Sequence, residues 1–324
     1  MLLTHARTTP HQTMDFKQLR AFLTVAETGN VTRAAEVLHL VQPAVSRQLR
    51  LLEEDIGTPL FERERHGMAL TAAGKALLDY ARRAMLELDR ARVEIAGAAI
   101  GNVTGLVTLG LLPSTIDMLS SPLVSAVGAA YPGIRMRIAM GYAGTLHRWL
   151  ESGEVDAALL YGPERSTEIQ TTALIEEPLW VVGPRDAKLR RDRPMPLAKL
   201  AASPVVLPSA PHGIRALVEH ACAISKVTLQ ISAETNALSV QRALVLGGHG
   251  LTILPPIAVA DELRRNQLTG APLADPPLLR TIVLALPTNR PIGQHVHCAV
   301  DLLVAQTRAA IASGAWLEGR WLGD

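Results

Sequence analysis

The sequence predicts an α plus α/β protein: a small head carrying a winged helix-turn-helix, one long connecting helix, and a larger two-lobed α/β body. Three observations carry that prediction. Residues 30–56 place two short amphipathic helices around a tight turn, and two short extended pieces about a glycine follow. Residues 71–97 hold one uninterrupted helical stripe. From residue 106 onward, apolar strand-like runs alternate with helix-like segments, the pattern of a parallel sheet with helices on both faces.

In the head, a first helix is expected from Asp15 to Thr28, burying Phe16, Leu19, Phe22, Leu23 and Ala26 and stopped by Gly29. The next brings Ala34, Ala35 and Leu38 together, with Asn30 or Thr32 as its N-cap. His39 to Val41 make the turn, and Pro43 suits the first turn of a further helix. On that helix Val45, Leu49, Leu52 and Ile56 form one apolar stripe that must pack on something. The opposite face carries Gln42, Ser46, Arg47 and Arg50, and no acidic residue appears between Glu36 and Glu53. Arginine and glutamine can make paired hydrogen bonds to guanine and adenine edges in the major groove, so this face is expected to meet duplex DNA. Exposed arginines also occur on many ordinary helices. Here, however, Leu60, Phe61, Arg63, Arg65, His66, Gly67 and Ala69 to Thr71 read as a wing, and Thr71 caps the long helix.

The segments FKQLRAFLTVAETGNVTRAAEVLHL, VQPAVSRQLRLLEEDIGTPLFER and ALTAAGKALL resemble the LysR-type bacterial transcription regulators. The likeness continues to about Pro287, through GEVDAALLYG and LGGHGLTILP, and is nearest the regulators of nitrogen assimilation. It implies a type 2 periplasmic-binding-protein-like effector domain with a cleft between two lobes. It also implies that the wing arginine Arg63 meets the DNA backbone or minor groove. The expected DNA-contacting set is Thr32, Arg33, Gln42, Pro43, Ala44, Ser46, Arg47, Arg50, Arg63 and Arg65. Two residues depart from the family pattern. Val41 stands where Ser or Thr is common, removing a cap or phosphate contact, and His66 stands where a second basic residue is common.

Composition narrows the partners. A net charge of +2, with the lysines and arginines of residues 1–71 matched by as many carboxylates, means the DNA reading rests on where the arginines sit. Aromatic residues are only 3%, too few for platforms that stack single-stranded bases. No apolar run is long enough to span a membrane and no signal-peptide core precedes the head, so a cytoplasmic location is expected. Residues 1–13 have no periodicity and read as a disordered extension, or translation starts at Met14. No cofactor or metal is expected. Cys222 and Cys298 have no metal-ligand spacing and read as small buried thiols. His295 and His297 lie two apart on a helix and do not share a face. Gly247 to Gly250 follows a helix and opens a strand, the reverse of a dinucleotide loop, and is read as a turn.

Along the long helix, Leu77, Ala81, Ala84, Leu88, Ala91 and Ile95 alternate steps of four and three, the seam of a two-stranded coiled coil. Packing on the chain's own body would give a similar stripe. A homodimer or homotetramer on a dyad-symmetric operator is expected. Gly97 to Gly105 is the expected hinge. Strands are expected at 106–110, 134–140, 155–161, 179–182, 205–207, 229–233, 251–254 and 280–286, and helices at 116–130, 145–151, 213–225, 236–246 and 293–313. Lobe I is placed at about 106–165 and 271–324, and lobe II at 166–270.

Open α/β sheets bind ligands beyond the carboxyl ends of their strands. That rule selects Pro113, Ser114, Thr115, Gly144, Thr145, Tyr161 and Gly162 in one lobe, and Pro208, Ser209, His212, Arg215, Thr235 and Asn236 in the other. Each Ser or Thr also suits a helix cap. Several helix N-termini facing one cleft favour an anion, so a small carboxylate is the expected effector, with Arg215 as its counter-charge. No nucleophile elbow or catalytic carboxylate pair is present, which argues against an enzyme. The alternative is a solute-binding module or enzyme with a helical appendage.

Overall fold

The computed structural model describes residues 14–64, 67–98, 103–162 and 166–323. The expected extension at 1–13 lies outside them, as do Arg65, His66 and residues 99–102 of the expected hinge. The chain forms two compact units, one through Ile95 and one from Ala96.

In the first unit, helices α1 (Phe16–Thr28), α2 (Val31–Leu38) and α3 (Gln42–Ile56) precede strands β1 (Phe61–Glu64) and β2 (Gly67–Leu70), and α4 (Ala72–Ala98) follows. Asp15 opens α1 with a reciprocal cap, its carboxylate accepting from the Gln18 N–H while the Gln18 side chain accepts from the Asp15 N–H. Phe16, expected inside, is 53% exposed. The buried face instead holds Leu19, Ala21, Phe22 and Val25, with Leu23 and Ala26 half-buried, because the helix is rotated toward Ala21 and Val25 to meet α2 and α3. Asn30 caps α2, accepting from the N–H groups of Thr32 and Arg33, so Thr32 is not the cap. Val45, Leu49 and Leu52 bury the expected stripe of α3 in one core with Phe22, Ala34 and Leu60; Ile56 packs at its edge.

The wing pairs antiparallel, Phe61 opposite Leu70 and Glu64 opposite Gly67. Gly67 has φ 145°, and a Cβ there would lie 2.3 Å from the Gly29 carbonyl oxygen, which accepts from the Met68 N–H. Only glycine lets the wing close onto the α1–α2 junction. Thr71 Oγ1 accepts from the Gly74 N–H at 3.0 Å and donates to the Pro59 carbonyl, fixing the start of α4. The first turns of α4 then pack inward: Ala81 is fully buried in the head's own core, with Leu77, Leu78 and Met85 against it. Leu77 and Ala81 are therefore not free seam positions as expected, since the head itself covers them.

The second unit contains two six-stranded sheets. Lobe I holds β3 (Gly105–Leu111), α5 (Ile116–Ala130), β4 (Ile134–Met140), α6 (Ala143–Ser152), β5 (Ala157–Gly162) and β6 (Ile169–Pro178). Lobe II holds β7 (Trp180–Pro184), β8 (Met195–Pro196), α7 (Leu197–Leu200), β9 (Pro204–Leu207), α8 (Gly213–Ser225), β10 (Gln230–Glu234), α9 (Leu238–Leu246), β11 (Leu251–Leu254), α10 (Ala260–Arg264) and β12 (Leu268–Ala274). The chain returns to lobe I with β13 (Leu279–Pro287), α11 (Gln294–Ala312) and β14 (Arg320–Trp321). Strand order is β14-β6-β13-β5-β3-β4 in lobe I and β10-β9-β11-β7-β12-β8 in lobe II.

Burial explains these places. β3 (GLVTLGL) is buried throughout and sits inside its sheet, whereas β4 alternates Arg135 and Arg137 outward at the edge. Both sheets are mixed, not wholly parallel as expected: β13 runs antiparallel to β5 and β6, and β7 antiparallel to β11 and β12. Strands that arrive from the other lobe need no helical crossover, so nothing forces them parallel. β6 belongs to the lobe I sheet and β12 to the lobe II sheet, so both crossings fall later than expected. The Gly247 to Gly250 turn is as expected, with Gly248 at φ 77°. Cys222 packs against the lobe II core and Cys298 against the lobe I core, both half-buried and unpaired with each other. No described helix is long and apolar enough to cross a membrane.

Candidate functional site

Two sites emerge, one in each unit. In the head, α3 presents Gln42, Pro43, Arg47 and Arg50 exposed and Ala44 and Ser46 half-exposed, directly opposite its buried stripe. Gln42 Nε2 donates to Ser46 Oγ at 3.0 Å, one turn along, which pre-orients the amide. Arg50 lies 3.7 Å from Glu54 with both side chains exposed, a contact worth little in water. Val41 precedes the helix with no side-chain cap, as the missing hydroxyl requires. Thr32 and Arg33 are exposed at the start of α2. Arg63 is exposed on strand β1 of the wing, opposite Met68.

In the second unit, Pro113, Ser114, Tyr161, His212, Thr235 and Asn236 converge on one chamber between the lobes, as expected. The chamber is closed down to about 20 Å³, room for roughly one water. The Tyr142 hydroxyl donates across it to the Asn236 carbonyl, and the Tyr142 ring meets His212 edge-on with centroids 5.5 Å apart. Arg242 on α9 also reaches Asp117 on α5 at 3.6 Å. These contacts join the lobes. His212 caps α8, its Nδ1 accepting from the Ile214 N–H at 3.2 Å. Burial, and then the nearby Arg280 charge, hold its pKa below the ordinary value, which keeps Nδ1 free to accept.

The strongest group in this site is one the sequence reading missed. Arg280, the first charged residue of β13, is buried, its side chain 4% exposed, against a fully buried Glu177. Its Nε and Nη2 lie 2.5 Å from Glu177 Oε1, and Nη2 also donates to Ser114 Oγ at 3.0 Å. Tyr161 covers the guanidinium face with its ring centroid 4.3 Å away. The second Glu177 oxygen accepts from the indole N–H of the buried Trp316, beyond α11, at 2.9 Å. Burial alone would lower the Arg280 pKa, but the adjacent Glu177 carboxylate outweighs it and holds the group above its ordinary value. Nη1 has no hydrogen-bond acceptor among the described residues.

Several expected residues do not reach the chamber. Thr115 is fully buried and bonds the Leu112 carbonyl. Gly144 and Thr145 lie inside α6, whose preceding residue Tyr142 takes the wall instead. Ser209 is not on the wall. Arg215, the expected counter-charge, is held by Glu219, Glu234 and the Pro208 carbonyl, and that pairing raises its pKa. It does not line the chamber. A larger depression of about 530 Å³ lies around α10, where Arg242 is paired with Glu262 and Arg264 with Asp261.

Comparison with known proteins covers both units. The model of the LysR substrate binding domain matches residues 101–308, and that of the bacterial regulatory helix-turn-helix protein, lysR family, matches residues 16–75. HTH-type transcriptional regulator BbuR of Bordetella bronchiseptica is 28% identical over 94% of this chain and 94% of its own length. The nitrogen assimilation regulatory protein nac of Escherichia coli is 26% identical over 90% of this chain and 95% of its own. Among solved structures, full-length CbnR complexed with its target DNA superimposes with a TM-score of 0.72 at 24% identity, covering 92% of this chain and 100% of that one.

Proposed function

The chain belongs to the LysR family of DNA-binding transcriptional regulators, and from that membership we propose how its two sites divide the work. The α3 face reads base edges in the major groove through Gln42, Ser46, Arg47 and Arg50, while Pro43 and Ala44 set its closest approach. Thr32, Arg33, Arg63 and Arg65 contact the backbone or the neighbouring minor groove. The observation that carries this reading is the opposition on one helix of a buried Val45, Leu49, Leu52 stripe and an exposed arginine and glutamine face. A free-standing solute-binding module would have no use for that exposed face.

A second copy of the chain is expected along α4 beyond the part its own head covers, with Ala84, Leu88 and Ala91 on its seam; the side chain of the expected seam position Ile95 lies outside those described. Two heads then read a dyad-symmetric operator. In the second unit, a small anion held by the groups around Ser114, Tyr161 and Arg280 biases the lobes and, through them, the DNA-bound assembly. Footprinting on the chain's own upstream DNA, with and without a panel of small carboxylic acids, tests both halves. A protected dyad whose extent or bend shifts with one acid is expected; an unchanged footprint across the panel overturns the effector half.

A further inference from the structure

We infer that the ligand site continues from the closed chamber into a second one that also borders Tyr161, and that this second chamber takes a singly charged acid with an apolar body. The inference rests on the anion reading above and names the ligand class and where its body sits. The second chamber has a volume of about 290 Å³ and shares Tyr161, Ile214 and Arg280 with the closed one. Its aliphatic walls are Ile214, Leu217 and Leu279; among the described residues Thr281 is the one hydroxyl-bearing residue besides Tyr161, and no carboxylate lines it. An apolar cavity of about 150 Å³ already holds benzene, and pockets for drug-sized ligands begin near 300 Å³. A phenyl or branched alkyl acid therefore fits here, whereas the first chamber takes about one water.

Two independent features call for one negative charge. Arg280 is buried, and its Nε and Nη2 are already committed to Glu177 and Ser114, which leaves Nη1, itself sealed from solvent, without a hydrogen-bond acceptor among the described residues. A buried donor left unpaired is costly, and a ligand oxygen that reaches Nη1 as the lobes part relieves that cost. The second feature is the start of the 13-residue helix α8, whose first residues Gly213 and Ile214 line the same chamber and bring the positive end of its dipole. Both Glu177 oxygens are occupied, by Arg280 and Trp316, so that carboxylate does not compete for the ligand's place. A diacid fits poorly, because its second carboxylate would be buried against Ile214, Leu217 and Leu279.

Calorimetric titration of the full chain with phenylacetate, 4-methylpentanoate, neutral phenylacetamide and succinate tests this. One of the two monoacids is expected to bind, and phenylacetamide to bind about tenfold or more weaker than phenylacetate should phenylacetate be that acid. Leu217→Trp, which fills the chamber, is expected to weaken the monoacid by about tenfold or more. Leu279→Glu keeps the test valid if that variant folds badly: Leu279 is 48% exposed at the mouth, and a carboxylate there should repel the acid without disturbing the core. Monoacid affinity unchanged in both variants overturns the proposal. Succinate bound in a way that both variants leave intact but Ser114→Val abolishes also overturns it, while the anion reading of the cleft survives. Binding of none of the four removes both.

Discussion

The exposed face of α3 and the floor of the cleft both carry arginine, and they hold it in opposite ways. Arg47 stands in solvent on a helix whose other side is anchored in the head's core, so it can reorganise around a partner at little cost. Arg280 is sealed among Glu177, Ser114, Tyr161 and Trp316, contributed by four other segments of the chain. A surface arginine acquires its role from what binds it, whereas a buried one must be balanced before anything binds. Removing the first should change recognition and spare the fold; removing the second should damage the fold itself.

The contrast can be broken at several points. Arg280→Met strands the Glu177 charge and should cost about 3–5 kcal/mol in urea unfolding, with most of it recovered in the Glu177→Gln, Arg280→Met double variant. A loss below about 1 kcal/mol would mean the pair is not sealed as described. Trp316→Phe leaves one Glu177 oxygen unpaired and should cost about 1–3 kcal/mol, with DNA affinity unchanged. Asn30→Ala removes the cap of α2 and should cost about 1 kcal/mol, seen in the transition of the head alone.

The smallest effect is a pH dependence. The folded state holds His212 below its ordinary pKa, so the unfolded chain binds its proton first as pH falls. The stability contributed by neutral His212 is therefore full above about pH 6.5 and is lost progressively below it, toward the lowered folded value. His212→Asn keeps a cap for α8 and should flatten that part of the stability profile between pH 7 and 5. An identical slope in the variant would assign it to other groups.

What was legible in the sequence follows the same contrast. The faces of α3 come from residues 42–56 alone, so helical period and residue type sufficed. The arrangement around Arg280 joins residues 114, 161, 177, 280 and 316, which only the folded sheet and the C-terminal segment bring together. In sequence Glu176 and Glu177 look like two surface charges. Burial separates them, Glu177 reaching the core and Glu176 staying at the edge with Arg320. β6 was missed because the polar residues at its start break the apolar run, and β12 because Gly270 and Pro272 interrupt it. Arg215 was misread although a signal existed: Glu219 lies one helical turn on, at the spacing of an ion pair. Phe16 was misplaced because a stripe drawn from residue 16 ignores the Ala21 and Val25 face that meets α2 and α3.

The role proposed for the exposed face of α3 is to read sequence in duplex DNA. Its most direct test is fluorescence anisotropy of the wild-type chain and the Arg47→Ala, Arg50→Ala double variant on the footprinted duplex and on a scrambled one, across a salt series. The double variant is expected to fold with unchanged stability but to lose about 1–3 kcal/mol of preference for the footprinted sequence per base contact removed. Retention of the full wild-type preference, at any salt, would contradict it.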